Sequence, residues 1–240
     1  MPTPVDVVYK IGPKCNWENY NELRYSLRSL LNIEGLGKVF IVGHKPEWCQ
    51  NVIHLPQGDP YKRNKDANLI NKMIRVSAHP DLSEEFLWFS DDQYIVTPVK
   101  REDFEVPQYD NALYRQGKKD PWSSRALRTI QYLRKRNKPT NIYECHSPYL
   151  FNKHLSSRVF FELPFGEGAG MLGNTFYFNF TRSKPGRPRY SHVSIGRTAT
   201  RSDIDQLVPG KKFMNINHGV NDEIKQWLQD KFPEKSIYEV

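Results

Sequence analysis

No apolar run in this sequence approaches the roughly 18 residues that a membrane-spanning helix needs, so no transmembrane segment is expected. The start, Met1-Pro2-Thr3-Pro4-Val5-Asp6, has no basic region followed by an apolar stretch, so no signal peptide is expected either. Cysteine is scarce. Cys15, Cys49 and Cys145 are odd in number and far apart, which fits neither a disulfide framework nor a zinc-ligand spacing. Three free thiols suit a reducing compartment, and a cytoplasmic location is expected. No internal repeat and no clear linker divides the chain, so its 240 residues are expected to form one domain.

What is present is enough for a large core. Hydrophobic residues make up 38% and aromatics 13%, which excludes a disordered tail. The formal charge is +8. That balance attracts polyanions, including nucleic acid, anionic membranes and phosphorylated substrates, without choosing among them.

The first half alternates. Val5–Ile11 reads as a strand ending at Gly12-Pro13. Asn19–Leu31 carries Leu23, Leu27, Leu30 and Leu31 at helical spacing. Lys38–Val42 and Asn51–Leu55 read as short strands. Asn64–Ala78 reads as a helix ended by His79-Pro80, and Phe86–Phe89 as the next strand. This order implies an α/β fold with a mostly parallel, Rossmann-like sheet flanked by helices. Ligands bind such sheets beyond the carboxyl ends of the strands, where Gly12, Gly43, Gly58 and Asp91 fall. The second half is less regular. Pro121–Lys138 reads as a helix with a basic face, Gly166–Phe180 as a glycine-led aromatic helix and Arg182–Arg201 as a basic, turn-rich stretch. Lys212–Ile216 reads as a strand, Val220–Lys231 as a helix and Phe232–Val240 as a short tail.

One stretch stands out. Phe86-Leu87-Trp88-Phe89-Ser90-Asp91-Asp92 is a buried-strand pattern ending in two adjacent carboxylates, and a second short apolar strand follows at once. Buried charges are paired or hold a metal. A pair at a strand end suits Mg²⁺ or Mn²⁺, which is bound by one or two carboxylates and completed by water and substrate phosphates. That points to a phosphorylated substrate such as a nucleotide sugar. The plainer reading is a strand-end turn in which Asp91 accepts local backbone N–H bonds. His218, which also follows a strand, is a candidate third ligand beside Asp91 and Asp92; otherwise it is a surface or capping histidine.

Other residues join this picture. Lys62, Lys65 and Asn68 lie at a helix start, where free N–H groups and the macrodipole favour phosphate; the plainer reading is a solvated helix start capped by Asn64 or Asp66. His146 and Glu144, in Glu144-Cys145-His146-Ser147-Pro148, have the chemistry of a general base on an acceptor hydroxyl, or of a structural turn. Glu167 lies in a glycine-rich loop that a sugar can approach closely. Lys184-Pro185-Gly186-Arg187-Pro188-Arg189 has an AT-hook-like core suited to a DNA minor groove. Arg125 and Arg128 on the basic helix would extend that track by phosphate contacts; the alternative is a solvated basic surface.

Together these residues resemble a GT-A-type glycosyltransferase. The resemblance rests on Val5–Ile11, the Lys62–Asn71 helix start, Phe86–Asp92 and Asn215-Ile216-Asn217-His218. The family's Asp-x-Asp motif maps to Ser90-Asp91-Asp92, with the acids adjacent and not spaced by one. Phe89-Ser90-Asp91-Asp92, His146-Ser147-Pro148 and Asn174–Asn179 are also similar to Stealth-type sugar-phosphate transferases. In the same broad neighbourhood, the compact length, the +8 charge and the Arg182–Arg201 strip resemble the TET/JBP-associated glycosyltransferases. The resemblance implies a UDP-sugar or other nucleotide-sugar donor, bound by Gly12, Lys62, Lys65, Asn68, Ser90 and Asp91. It implies catalytic roles for Asp92, His146, Glu144 and Glu167. A donor half over residues 1–110 and an acceptor half over 111–240 are expected. The acceptor is expected to be a 5-hydroxymethylpyrimidine in double-stranded DNA, in the host cytoplasm for a phage protein. The rivals are a transferase for surface polysaccharide and a non-catalytic nucleic-acid-binding protein.

Overall fold

The structure, a computed structural model, describes residues 4–62, 64–168, 170–182 and 184–240. Strand β1 (Val5–Ile11) leads to helix α1 (Asn21–Ser29), β2 (Leu36–Gly43), β3 (Ile53–Leu55), α2 (Lys65–Ser77) and β4 (Glu85–Phe89). The chain continues through β5 (Gln93–Ile95), β6 (Gln108–Tyr109), α3 (Pro121–Arg134), β7 (Tyr149–Asn152), α4 (Lys153–Phe161) and α5 (Gly173–Thr181). It ends with β8 (Arg187–Pro188), β9 (His192–Gly196), α6 (Arg201–Leu207), β10 (Phe213–Asn217) and α7 (Asp222–Lys231).

Five strands form the main sheet in the order β3-β2-β1-β4-β7. The first four run parallel, and β7 is antiparallel to β4. The fold is α/β, with a mostly parallel sheet flanked by helices. Strand alternation divides β1 between two cores. Val8 packs with Met73 and Phe178 on one face, while Val7, Tyr9 and Ile11 pack with Leu23 and Leu27 on the other. Burial on both faces is why these strands read as nearly continuous apolar runs. A second sheet, β5-β10-β9, builds its own core with α6 and α7 through Met214, Ile216, Trp227 and Leu228. The turn after β4 carries the chain directly from the first sheet to the second.

Helix starts follow local chemistry. The Asn64 carboxamide oxygen accepts the Ala67 N–H at 3.1 Å and caps α2. Asp120 caps α3 by accepting the Ser123 N–H at 2.9 Å, with Pro121 at the first helical position.

The second half departs from the sequence expectation in four places. Helix α5 starts at Gly173, not Gly166, because Gly168 and Gly170 hold left-handed backbone at φ 54° and 84° and keep that segment irregular. Helix α3 stops at Arg134, and Asn137 turns left-handed beyond it. Strands β7, β8 and β9 and helices α4 and α6 are additions, each too short to announce itself by periodicity. The tail is no loose end. Tyr238 and Glu239 are buried, and Glu239 bridges Cys49 of the first half. Residues from both sides of position 110 share one core, in which Val8 and Met73 meet Tyr149 and Phe178. Among the described residues no helix is long and apolar enough to cross a membrane.

Two residues anchor this frame. Glu239 receives Arg28 at 2.8 Å and Arg24 at 3.0 Å, and its side chain is fully buried. Burial alone would raise its pKa, but the Arg28 and Ser236 hydrogen bonds outweigh that and hold it down at about 2. A carboxyl whose pKa falls on folding stabilises the fold above its unfolded pKa and stops doing so once protonated. Glu239→Gln is therefore expected to lose about 3 kcal/mol near pH 7. The gap to wild type should close as pH falls from about 4.5 toward about 2; urea titrations across that range check it, and a gap constant with pH refutes it. Gly43 ends β2 at φ +116°, and a Cβ there would collide with the Ile11 carbonyl oxygen and lie 2.9 Å from Lys72 Cε. Gly43→Ala is expected to cost about 2–4 kcal/mol in chemical denaturation, and a loss under about 0.5 kcal/mol contradicts it.

Candidate active site

Parallel register brings the ends of four strands to one edge. Ile11 lies opposite Gly43, Val42 opposite Leu55, and Tyr9 opposite Phe89. Strand order reverses between β1 and β4, and a ligand crevice belongs at such a point. A cleft of about 900 Å³ opens there. Gly12 and Asn16 line one side, Tyr61, Asn64 and Lys65 another, and Ser90, Asp91 and Asp92 the floor. Trp122 and Arg125 of α3 and the 144–147 segment close it from the second half.

Asp91 and Asp92 occupy the two central positions of a tight turn. The Gln93 N–H donates to the Ser90 carbonyl at 3.4 Å, and the Ser90 N–H donates to the Gln93 side chain at 2.9 Å. The turn expected from the plainer reading is thus present. It is closed by backbone and by Gln93, so the two carboxylates are not consumed in making it. The Asp92 carbonyl accepts the Ile216 N–H at 3.2 Å, which ties the turn to β10. Asp92 is 9% exposed, and its Oδ1 is buried without a hydrogen-bond partner among the described residues. Burial pushes both carboxyls up, Asp91 further through repulsion from Asp92, while Lys65 and Lys10 oppose the rise.

Cations and a third carboxylate surround the pair. Lys65 stands exposed at the start of α2. Lys72 is buried against Asp59 at 2.5 Å, and Arg125 is ion-paired with Asp66. Glu144 lies deeper, where a small annex of about 30 Å³ extends the cleft past Lys10, Trp88 and Asn174. Its carboxylate accepts the Thr175 N–H at 3.0 Å and the Asn174 amide at 3.1 Å, at the N-terminus of α5. Burial, then Asp66, push Glu144 up to about 7.

His146 is the histidine that meets the acidic pair. Its Nδ1 lies 3.6 Å from Asp92 Oδ2 and 2.8 Å from Asn215 Nδ2. Asn215 is fixed in turn by Ser194 Oγ at 2.6 Å and by Asn217 at 2.8 Å. Partial enclosure, then Lys10 and Lys65, lower the His146 pKa, although its side chain is 45% exposed.

Of the residues singled out from sequence, Gly12, Lys65, Asn68, Ser90, Asp91, Asp92, Glu144 and His146 share the cleft, and Arg125 joins them. Asn68 holds the Tyr61 backbone through both ends of its amide, at 3.0 and 3.1 Å, so it shapes the loop before α2. Lys62 is exposed and does not line the cleft, and Arg63 lies outside the described residues. His218 is exposed at φ 65° just past β10, and among the described residues no three His, Cys, Asp or Glu side chains gather to hold a metal. The expected Asp91-Asp92-His218 triplet is therefore not assembled; His146 occupies the position against Asp92.

Three further expectations change. Glu167 is outside the cleft, with its side chain 77% exposed and 3.6 Å from Arg128. Arg128 pins that loop by donating to the Pro164 carbonyl at 3.4 Å and to the Glu167 carbonyl. Arg125 turns into the cleft toward Asp66, so neither arginine is a free phosphate contact on an outer helix face. Arg189 pairs with Asp110 at 3.3 Å, while Lys184 and Arg187 are exposed away from the cleft. Lys10 is a cleft residue that the sequence concealed, as are Asp59, Lys72 and Trp122. Lys10 interrupts the apolar run of β1, and its even position beside Val8 was the available signal.

The residues fit a divalent cation of the two-carboxylate kind. The orphaned Asp92 Oδ1 and the neighbouring Asp91 offer oxygen ligands, which is what Mg²⁺ or Mn²⁺ takes from protein in phosphate sites.

No family model matches the sequence, and no curated protein does. In chain course it is similar to a glycosyltransferase involved in the glycosylation of the major capsid of PBCV-1, at 9% identity and a TM-score of 0.46, over 95% of this chain and 99% of that one. It is also similar to mouse xyloside xylosyltransferase 1 in its apo form, at 14% identity and a TM-score of 0.44, over 90% of this chain and 98% of that one. Likenesses this remote assign neither a residue nor a reaction to this chain.

Proposed function

We propose that the protein is a metal-assisted glycosyltransferase that moves a sugar from a nucleotide-diphosphate donor to a hydroxyl. The observation that carries this reading is the unpartnered, buried Asp92 Oδ1 at the strand-order reversal of an open α/β sheet. Asp91 and Asp92 would hold Mg²⁺ or Mn²⁺. When bound, that cation supplies charge neutralisation on the donor diphosphate as the sugar leaves.

The chain's own residues do the rest. Lys65 and the α2 N-terminus draw donor phosphate toward the turn. Tyr61, Asn64 and Asn68 shape the neighbouring wall, and Gly12 leaves room for the donor to lie over β1. Asn215 orients His146 beside Asp92. Glu144, near neutrality in the floor of the cleft, is placed to take the proton of an incoming hydroxyl. Preorganised charge in an enclosed cleft supplies most of the rate.

For the acceptor we read a hydroxyl on a polyanion, and a 5-hydroxymethylpyrimidine in DNA is the member of that class that the chain's features favour. The support is the +8 charge and the exposed Lys184 and Arg187 of the Pro-Gly-Arg strip.

Two measurements test this. Asp92→Asn should lower turnover of the nucleotide sugar by about a hundredfold or more. Activity within about threefold of wild type would remove the metal assignment. A panel of nucleotide sugars with Mn²⁺ and hydroxymethylated DNA, read by nucleoside mass spectrometry, should show a hexose or pentose added to the base. Labelling of a glycan with the DNA untouched selects the polysaccharide reading, and no donor hydrolysis at all selects a non-catalytic binder.

A further inference from the structure

Lys10 is a cation without a protein partner. It lies at the carboxyl end of β1, on the face where Val8 and Trp88 pack, and borders both the main cleft and its annex. Among the described residues its Nζ makes no hydrogen bond and no ion pair; its one directed contact is the Trp88 ring, 5.1 Å to the centroid. Lys72 and Arg125, the other basic side chains of the inner cleft, are already neutralised by Asp59 and Asp66. Asp92, Glu144 and Asp91 act on it through their fields but none pairs with it directly, and enclosing an ammonium without a direct anionic partner is unfavourable unless a ligand provides one.

Charge balance identifies the class of ligand. Two carboxylates cancel one divalent cation. A nucleotide-sugar diphosphate then brings two negative charges into the same place. Lys65 and Lys10 are the cations whose fields reach both Asp91 and Asp92. Lys14 sits exposed at the rim. Lys65, at a helix start, meets one charge. A second, fixed cation is needed beneath the diphosphate, and an ammonium is a compact point charge suited to phosphate oxygen.

We infer that Lys10 is a diphosphate-binding residue, its ammonium donating to a phosphate oxygen of the donor from the floor of the cleft. The inference rests on the nucleotide-sugar reading and adds to it the residue that completes the charge balance. Lys10 would hold the leaving diphosphate next to the annex, so that the transferred group lies toward Glu144 and Asn174. Burial lowers the ammonium pKa to about 8, so it is charged at neutral pH but held against its solvation preference. The residue thus weakens the empty protein and strengthens the liganded one, a pattern common where a site is built for a ligand.

The test is Lys10→Met, which keeps the aliphatic stem over Trp88 and removes the charge. Calorimetry at pH 7 with Mn²⁺ would use uridine, guanosine and adenosine diphosphates, the matching nucleosides and inorganic pyrophosphate. Wild type should bind at least one diphosphate. The variant should bind that diphosphate and pyrophosphate about tenfold or more weakly, as loss of a charge-assisted bond implies, with nucleoside affinity within about twofold. Its melting temperature without ligand should equal or exceed that of wild type. Diphosphate affinity within about twofold of wild type overturns the inference and leaves the nucleotide-sugar reading standing. A lower melting temperature with equal loss for nucleoside and diphosphate also overturns it, since Lys10 is then structural. If wild type binds no diphosphate, the nucleotide-sugar reading fails and the inference fails with it.

Discussion

Holding two carboxylates side by side at the end of a buried strand sets the terms for the rest of this molecule. Each resists ionisation through burial, and they repel one another. Among the described residues no lysine or arginine pairs directly with either carboxylate; the His146 ring lies 3.6 Å from Asp92. The strain is met by geometry. A turn closed by its own backbone and by Gln93 fixes both residues, and β10 grips it from below through the Asp92 carbonyl. The second sheet thus holds the turn through the Ile216 N–H.

The same kind of hold recurs through the less regular half of the chain. Asn215 on β10 carries His146, Thr175 at the start of α5 carries Glu144, and Arg128 on α3 pins the loop beside the start of α2. The Arg24–Arg28–Glu239 clasp ties the end of the chain to α1, behind the cleft. These contacts are long-range in sequence, so the cleft exists only in the assembled fold. Asp91, Asp92, Glu144 and His146 stand on turns and loops, and neighbouring elements such as β10 and the start of α5 hold them in place.

The legible part of the sequence was the part governed by local patterns. Nearly continuous apolar runs, Val- and Ile-rich in β1 and β2 and aromatic in β4, gave these strands because a strand covered on both faces needs no polar alternation. The 3.6-residue spacing of Leu69, Ile70, Met73 and Ile74 gave α2. The carboxylate pair was legible because adjacent acids at the end of an apolar run violate the burial rule openly. The rest depended on partners that lie far along the chain. Strand β7 meets β4 some sixty residues away in sequence, and nothing in Tyr149–Asn152 names that partner. His146 and His218 looked alike as histidines near strand or turn residues; only the register of β10, which sets Asn215 against His146, distinguishes them. Basic residues were countable but their engagements were not. Arg125, Arg128 and Arg189 all face carboxylates. Composition reports charges, whereas an interface depends on unpaired ones.

The same distinction governs the choice between binder and enzyme. A nucleic-acid-binding surface presents its cations outward, where counterion release rewards them. Here several strong cations turn inward, and two of those are neutralised within the cleft wall itself. The positive charge that remains in the cleft is small, local and matched to a ligand with few charges, not to a polymer. An acidic pair at the centre would repel a nucleic-acid backbone unless a metal intervened. On the proposed reading the cleft would take a small, doubly charged ligand bridged to the protein by a cation, with a polymer approaching from the rim. In that proposal donor recognition falls to the cleft and acceptor recognition to exposed elements such as the strip around Arg187.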